Sequence, residues 1–249
     1  SGEITPDSLI EAISPETILI SLSLINSELG SVTAIRKIGQ GIREWKKREK
    51  REGNTEYQLL HVDASQGADL LPVKPNDLGA DLLTLDGGKL YSLSGSGILF
   101  VREGVSLHPV LFGGGQERGR RSGTENVASA VLLGEAMAFL EQTRAEEFSR
   151  QKELRKYFEK LLKKHVPEAM LNMKSDFCLP SIASVCIPGI DAEYLAVLLD
   201  EAGVSISTAS ACRRLKNNTP LSAVSLLPNG KECGESTLRF SFGRSTTEG

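Results

Sequence analysis

Leu59-Leu60-His61-Val62-Asp63-Ala64-Ser65-Gln66 is the stretch that decides the fold. It opens as an apolar run of strand length without strict alternation, and it closes in an acid, two small residues and an amide. A strand of that kind is covered on both faces and ends where chemistry can begin. Asp81 to Leu85 is a second such run, and it leads into Asp86-Gly87-Gly88-Lys89. In open α/β sheets ligands sit outside the carboxyl ends of the strands, so an acid and an amine delivered there can share one crevice. Taken singly, Asp63 also suits a strand-ending cap and Lys89 a surface ammonium.

Working outward, Thr17 to Leu24 and Gly97 to Val101 are further strand candidates. Pro6 to Ile13 has a short helical pattern. Ser31 to about Arg51 has a longer one, with Ile35, Ile38, Ile42 and Trp45 on one face. Apolar strands separated by helices predict an α/β core with a mostly parallel sheet. From Gly134 to His165 the sequence reads as one long or two broken helices, with Leu140, Phe148, Leu154, Phe158 and Leu161 as the apolar stripe. Beyond it come a strand over Ile182 to Ile187, a helix over Asp191 to Ala202 stopped by Gly203, and strands over Val204 to Ser207 and Leu238 to Gly243. The expected division is a large domain over residues 1–135 and a smaller α/β domain over 136–249.

Composition bounds the function. The chain has 249 residues, of which 40% are hydrophobic and 24% charged, which excludes disordered, collagen-like and disulfide-scaffold classes. A net charge of -3 supplies no global attraction to nucleic acid or anionic lipid. The run Arg43 to Arg51 carries six basic and two acidic residues but no aromatic platform, and it reads as a solvated helix end. The longest apolar stretch, Ile18 to Ile25, is too short to span a bilayer, and the N-terminus lacks the pattern of a secretory signal. The expectation is a cytoplasmic protein without membrane or direct nucleic-acid partners. Cys178, Cys186, Cys212 and Cys233 are too few and too irregularly spaced for a disulfide framework or a paired-cysteine zinc site, and no metal is expected.

Three further segments carry possible chemistry. Gly113-Gly114-Gly115, with Arg118, Arg120, Arg121, Ser122, Gly123 and Thr124 after it, offers backbone and side-chain donors to an anion but lacks P-loop or dinucleotide spacing. Cys212 ends the small-residue run Ser207-Thr208-Ala209-Ser210-Ala211 and is followed by Arg213 and Arg214, a field that favours thiolate. Cys178, Cys186 and Cys233 are less distinctive, and Cys186, in an apolar strand, reads as an inert core thiol. Arg239, in Leu238-Arg239-Phe240-Ser241-Phe242-Gly243-Arg244, needs an anion amid apolar neighbours, and its planar fork suits a carboxylate.

The combination of Asn26-Ser27-Glu28-Leu29-Gly30, His61 to Gln66, Lys89 after Gly88, Arg121-Ser122-Gly123-Thr124, Ser210-Ala211-Cys212 and Arg239 to Arg244 is specific as a set. From Ile18 to Thr247 the chain resembles the cysteine desulfurases of the class V aminotransferase group, which bind pyridoxal phosphate (PLP) in a fold type I scaffold. The resemblance implies Lys89 as the Schiff-base lysine, Asp63 beside the pyridinium nitrogen, Gln66 on the phenolic oxygen, Asn26 as a further cofactor contact, and Thr124 on the phosphate of a homodimer partner. It also implies Arg239 on the carboxylate of L-cysteine, and Cys212 as the nucleophile that takes the sulfur as a persulfide and passes it to an iron-sulfur scaffold or a tRNA-thiolating enzyme. Three words depart from the family. Asp86-Gly87-Gly88-Lys89 stands where Ser-x-His-Lys is common, Ser92-Leu93-Ser94-Gly95 stands where Gly-Pro-Lys-Gly is usual, and Asn26-Ser27-Glu28 stands where Asn-Asn-Glu is usual. Ser245-Thr246-Thr247-Glu248 has the spacing of a helix cap with no helix after it, and the family's N-terminal phosphate loop and ring-stacking histidine have no counterpart here, so a fragment is expected. Another class V enzyme, such as a selenocysteine lyase or an aminotransferase, and a non-catalytic fragment are the alternatives; the cysteine at 212 argues for sulfur transfer.

Overall fold

A computed structural model describes residues 4–14, 16–51, 58–208 and 223–248. The chain divides into two compact units: Thr5–Leu24 with Ala34–Thr143, and Ser1–Ile4 with Ile25–Thr33 and Arg144–Gly249. The boundary expected at 135/136 therefore lies at Thr143/Arg144, and residues 25–33 go with the C-terminal unit.

The first unit is built on a four-stranded sheet. Helix α1, Pro6–Ala12, starts at a capping box in which Thr5 and Ser8 satisfy each other's backbone N–H groups. It precedes strand β1, Leu19–Ser23, and helix α2, Ile35–Arg51. Ile35, Ile38 and Ile42 are buried, as their spacing requires. At the charged end of α2, Lys46 is not merely solvated: its Nζ lies 3.9 Å from Asp81 Oδ2. Burial lowers its pKa, against the pull of Asp81. Strand β2, Leu59–Asp63, short helix α3, Pro75–Leu78, and strands β3, Leu82–Asp86, and β4, Gly97–Val101, complete the sheet in the order β1-β2-β3-β4. The first three strands run parallel, but β4 pairs antiparallel with β3, because the connection from Asp86 to Gly97 is too short for a crossover.

Helix α4, Val127–His165, is unbroken over 39 residues and begins seven residues before the expected Gly134. Of its expected stripe, Leu140 and Leu154 are buried, whereas Leu161 is 36% exposed. Within the C-terminal unit its buried face is mostly polar: Glu147, Gln151 and Arg155 stand with Leu154. Arg155 Nη1 donates to the carbonyl of Ile182, and Arg150 reaches the carbonyls of Gly243 and Thr246 at 2.8 Å. The Ile182 carbonyl accounts for Arg155 in the core stripe, and Glu147 is held there by Arg150 and Gln151.

The C-terminal unit has a second sheet, made by β5, Met170–Leu171, β6, Ile182–Cys186, β7, Ser207–Thr208, and β8, Thr237–Ser241. Its order is β5-β6-β8-β7, and every pairing is antiparallel. Strand β6 is buried throughout, and α4 contributes Phe158, whose ring lies 5.0 Å from Phe240 and 5.5 Å from Phe242. Helices α5, Ala192–Glu201, capped by Asp191, and α6, Gly230–Cys233, flank it. Residues 25–33, closed on themselves by the bridge Ile25–Val32, join this unit through the bridge Ser31–Cys178, and Leu179 N–H donates to Gly30 O at 2.8 Å. Gly30 has φ 75°, and a Cβ there would lie 2.9 Å from that of Ile182. Only glycine permits both the turn and this approach.

The reading of the cysteines needs correction. Cys186 and Cys233 form a disulfide with Cα atoms 5.4 Å apart, and Cys178 is the free, buried thiol among the described residues. The cause lies in the pairing of β6 with β8. Cys186 is in register with Thr237, and Thr237 Oγ1 donates to Cys233 O at 2.7 Å, which brings the end of α6 back over β6. No described helix is long and apolar enough to cross a membrane.

Candidate active site

In the first unit the site residues follow the carboxyl ends of β2 and β3. Asp63 ends β2, in register with Thr84 of β3. Its Oδ1 accepts from Ser65 N–H at 3.0 Å and from Thr84 Oγ1 at 3.3 Å. Burial would raise the Asp63 pKa, but hydrogen bonds from Ser65 and Thr84, with the influence of His61, outweigh it and hold the carboxyl below its ordinary range. Asp63 is therefore an ionised acceptor at neutral pH. Two residues earlier, on the same face, His61 Nδ1 lies 2.8 Å from Ser21 Oγ and Nε2 lies 3.3 Å from Thr84 Oγ1. Gln66 is half-buried in the turn that follows β2.

Lys89 ends a 3-10 turn, Gly87–Lys89, directly after β3. Gly87 N–H donates to Ser96 O at 2.9 Å, and a Cβ on Gly87 would collide with the Ser96 hydroxyl. Leu90 is buried beneath the turn while Lys89 stays exposed. The Asp86 side chain faces its own turn, accepting from Gly88 N–H at 2.9 Å, with Oδ2 4.0 Å from Lys89 Nζ. Both groups are more than a third exposed, so solvent screens this pair. Thr124 is exposed in the segment before α4, where Gly123 N–H donates to Gln116 Oε1 at 3.2 Å.

In the C-terminal unit, Arg239 on β8 donates from Nη1 to Ser27 O and from Nη2 to Ser207 Oγ, each at 3.0 Å. Its Nε is buried with no partner, so the fork keeps a donor to spend. Asn26 Oδ1 accepts from Glu28 and Leu29 N–H groups at 3.0 and 2.9 Å, so the oxygen caps its own turn and the amide NH₂ is the end left to face a ligand. Glu28 Oε2 accepts from Ala223 N–H at 2.7 Å and so anchors the chain directly after residues 209–222. Cys212 lies outside the described residues. Thr84, Ser65, Ser207 and Glu28 were not foreseen as site-shaping residues. The signal for Thr84 was a hydroxyl at the strand position opposite Asp63, but it becomes visible only with the β2–β3 register. Among the described residues no group of three or more His, Cys, Asp or Glu side chains forms a metal site.

Residues 1–249, the whole chain, match the aminotransferase class-V family. The chain belongs to that family. This class V chain is 33% identical to cysteine desulfurase IscS of Dictyoglomus turgidum over 99% of its own length and 60% of the relative's. It is 34% identical to cysteine desulfurase IscS 1 of Archaeoglobus fulgidus, covering 61% of it, and 36% identical to cysteine desulfurase IscS of Methanosarcina thermophila, covering 58%. It spans about three-fifths of the length of these curated relatives. Among solved structures it superposes on a NifS-like protein with a TM-score of 0.82 at 27% identity, over 99% of this chain and 61% of that one. It also superposes on the structure of SspA in complex with cysteine, with a TM-score of 0.74 at 28% identity, over 97% and 63%. The α/β fold type I expected of this class V chain is the fold of these neighbours.

Proposed function

We propose that this chain is the larger part of a PLP-dependent cysteine desulfurase, which takes sulfur from L-cysteine, leaves alanine, and holds the sulfur as a persulfide on Cys212. The observation that carries the reading is an ionised carboxylate, Asp63, and an exposed amine, Lys89, at the carboxyl ends of neighbouring parallel strands, in a chain whose relatives are named cysteine desulfurases. These residues fit the cofactor. A carboxylate kept ionised by its hydrogen bonds suits a pyridinium N–H, and a screened ammonium suits an aldehyde it must attack after losing its proton. Gln66, Asn26 and Thr124 are the further contacts in this reading, with Thr124 reaching the phosphate of a second copy in a homodimer. PLP supplies an electron sink that accepts the pair released when a substrate bond breaks.

The chain's own residues do the rest. Arg239 binds the substrate carboxylate, for which its fork and its unpartnered Nε are suited. Cys212 attacks the substrate sulfur; the new S–S bond forms as the carbon–sulfur bond breaks, and the carbon takes up a proton to give alanine. The small residues from Ser207 to Ala211 suit a cysteine that must reach both cofactor and acceptor, and Glu28 holds Ala223 N–H. A sulfur-acceptor protein, iron-sulfur scaffold or tRNA-thiolating, then receives the persulfide in the cytoplasm. The test is titration of the purified chain with PLP, followed by visible absorbance, in parent and Lys89→Ala. A cofactor band present in the parent and lost in the variant supports the reading, and a parent without a band sinks it. Sulfide release from L-cysteine that persists in Cys212→Ser removes Cys212 as the nucleophile.

A further inference from the structure

Ser21, His61, Asp63 and Thr84 lie on one face of three parallel strands, joined side chain to side chain. The register makes this possible: Ser21 of β1 stands opposite His61 of β2, and Thr84 of β3 stands opposite Asp63. Ser21 Oγ to His61 Nδ1 is 2.8 Å, His61 Nε2 to Thr84 Oγ1 is 3.3 Å, and Thr84 Oγ1 to Asp63 Oδ1 is 3.3 Å.

Donor arithmetic gives the chain a direction. The Asp63 carboxylate only accepts, so Thr84 must spend its single hydroxyl proton on it. Thr84 Oγ1 is then available to His61 only as an acceptor, and His61 Nε2 must carry a hydrogen. In a neutral imidazole that leaves Nδ1 as the acceptor, to which Ser21 donates. Every hydrogen bond thus points the same way, from Ser21 through His61 and Thr84 to Asp63, the arrangement in which successive bonds polarise one another. The histidine does not face the substrate in this scheme; its work is done through threonine.

We infer that His61 is a positioning residue: its neutral Nε2–H tautomer fixes the Thr84 hydroxyl with its proton aimed at Asp63, and so holds the acceptor that the cofactor reading assigns to the ring nitrogen. The relay rests on that reading for its purpose, but its geometry belongs to this unit alone.

The experiment is NMR on the chain without added PLP. Long-range proton–nitrogen correlation reads the tautomer of His61, assigned among the three histidines by its loss in His61→Gln. The Asp63 carboxyl-carbon shift, read in mildly alkaline solution where the neutral imidazole applies, reports the bond it receives from Thr84. The expected results are an Nε2–H tautomer for His61 and a displaced Asp63 carboxyl-carbon shift in His61→Ala and in Thr84→Val. Return of that shift toward the parent value is expected in His61→Gln, whose amide can donate from the same place, and in Thr84→Ser, which keeps the hydroxyl. An Nδ1–H tautomer, or an Asp63 shift unmoved in His61→Ala, overturns the relay. An equal shift in His61→Ala and His61→Gln also overturns it, because loss of the ring and not of its donor would then be the cause. Backbone spectra of β2 and β3 confirm that each variant is folded. PLP binding is scored separately by absorbance, so the relay can fail while the cofactor reading stands, and the reverse.

Discussion

Breaking the Cys186–Cys233 disulfide is the sharpest perturbation of the C-terminal unit. The bond joins positions 47 apart in sequence, and closing a loop of that size removes conformational entropy from the unfolded chain worth about 4 kcal/mol near room temperature. Both sulfurs lie in a buried cluster with Leu29 and Val224, packed against Met170 and Met173. Two perturbations therefore separate two effects. Reduction under denaturing conditions followed by refolding in reductant keeps the sulfur atoms in place and removes only the crosslink, with an expected loss of about 4 kcal/mol. The double variant Cys186→Ala/Cys233→Ala adds the lost packing, roughly 1 kcal/mol more. Urea unfolding followed by circular dichroism gives the free energies, and amide exchange on β6 reports the strand nearest the bond. A reduced protein within about 0.5 kcal/mol of the oxidised one would refute the entropic reasoning, because a crosslink that leaves the unfolded ensemble unchanged has nothing to release.

Two further outcomes follow from single residues. Hydrogen bonding by Arg150 holds the Glu147 carboxyl below its ordinary range, against burial and with help from Gln151. Because the folded pKa is the lower one, this contribution is complete above the ordinary carboxylate value and is lost as the pH falls through it toward the folded value. Glu147→Gln should flatten the acid limb of a thermal-stability profile and cost about 1–3 kcal/mol at neutral pH; an acid limb identical to the parent's counts against the assignment. Gly30→Ala combines a left-handed φ with a Cβ 2.9 Å from that of Ile182 and should destabilise by about 2–4 kcal/mol. Gly203→Ala has a similar φ but nothing within 4 Å, and should lose only about 1 kcal/mol. Equal losses in the two glycine variants would show that the Ile182 contact does not matter.

What the sequence made legible was local. Leu59–Asp63 is the strand as read, because an unbroken apolar run closed by an acid has few other solutions. Ile35, Ile38 and Ile42 declared the buried face of α2 by spacing alone. Asp63 and Lys89 follow the carboxyl ends of adjacent strands, as expected, because strand ends in a parallel sheet share an edge, whatever the rest of the chain does. The misses were of another kind. The direction of β4, the disulfide, and the membership of residues 25–33 in the C-terminal unit are all pairings between distant segments, and pairing leaves no periodicity in one segment. Glu147, Gln151 and Arg155 were hidden because a buried polar residue looks like a surface residue until the group that pairs with it is known. Thr84 and Ser207 belong to the same class: each is an ordinary hydroxyl until register sets it against Asp63 or Arg239.

The first sheet carries a consequence for handling the protein. Among the described residues, β1 and β4 form its two borders. Neither Leu19–Ser23 nor Gly97–Val101 contains a charged residue or a proline. Leu19 is 48% exposed and Leu99 is 50% exposed. Borders of that composition lack the gatekeepers that ordinarily stop one sheet from extending into another. The expected outcome is association of this chain through those borders that grows with its concentration, which light scattering over a dilution series checks.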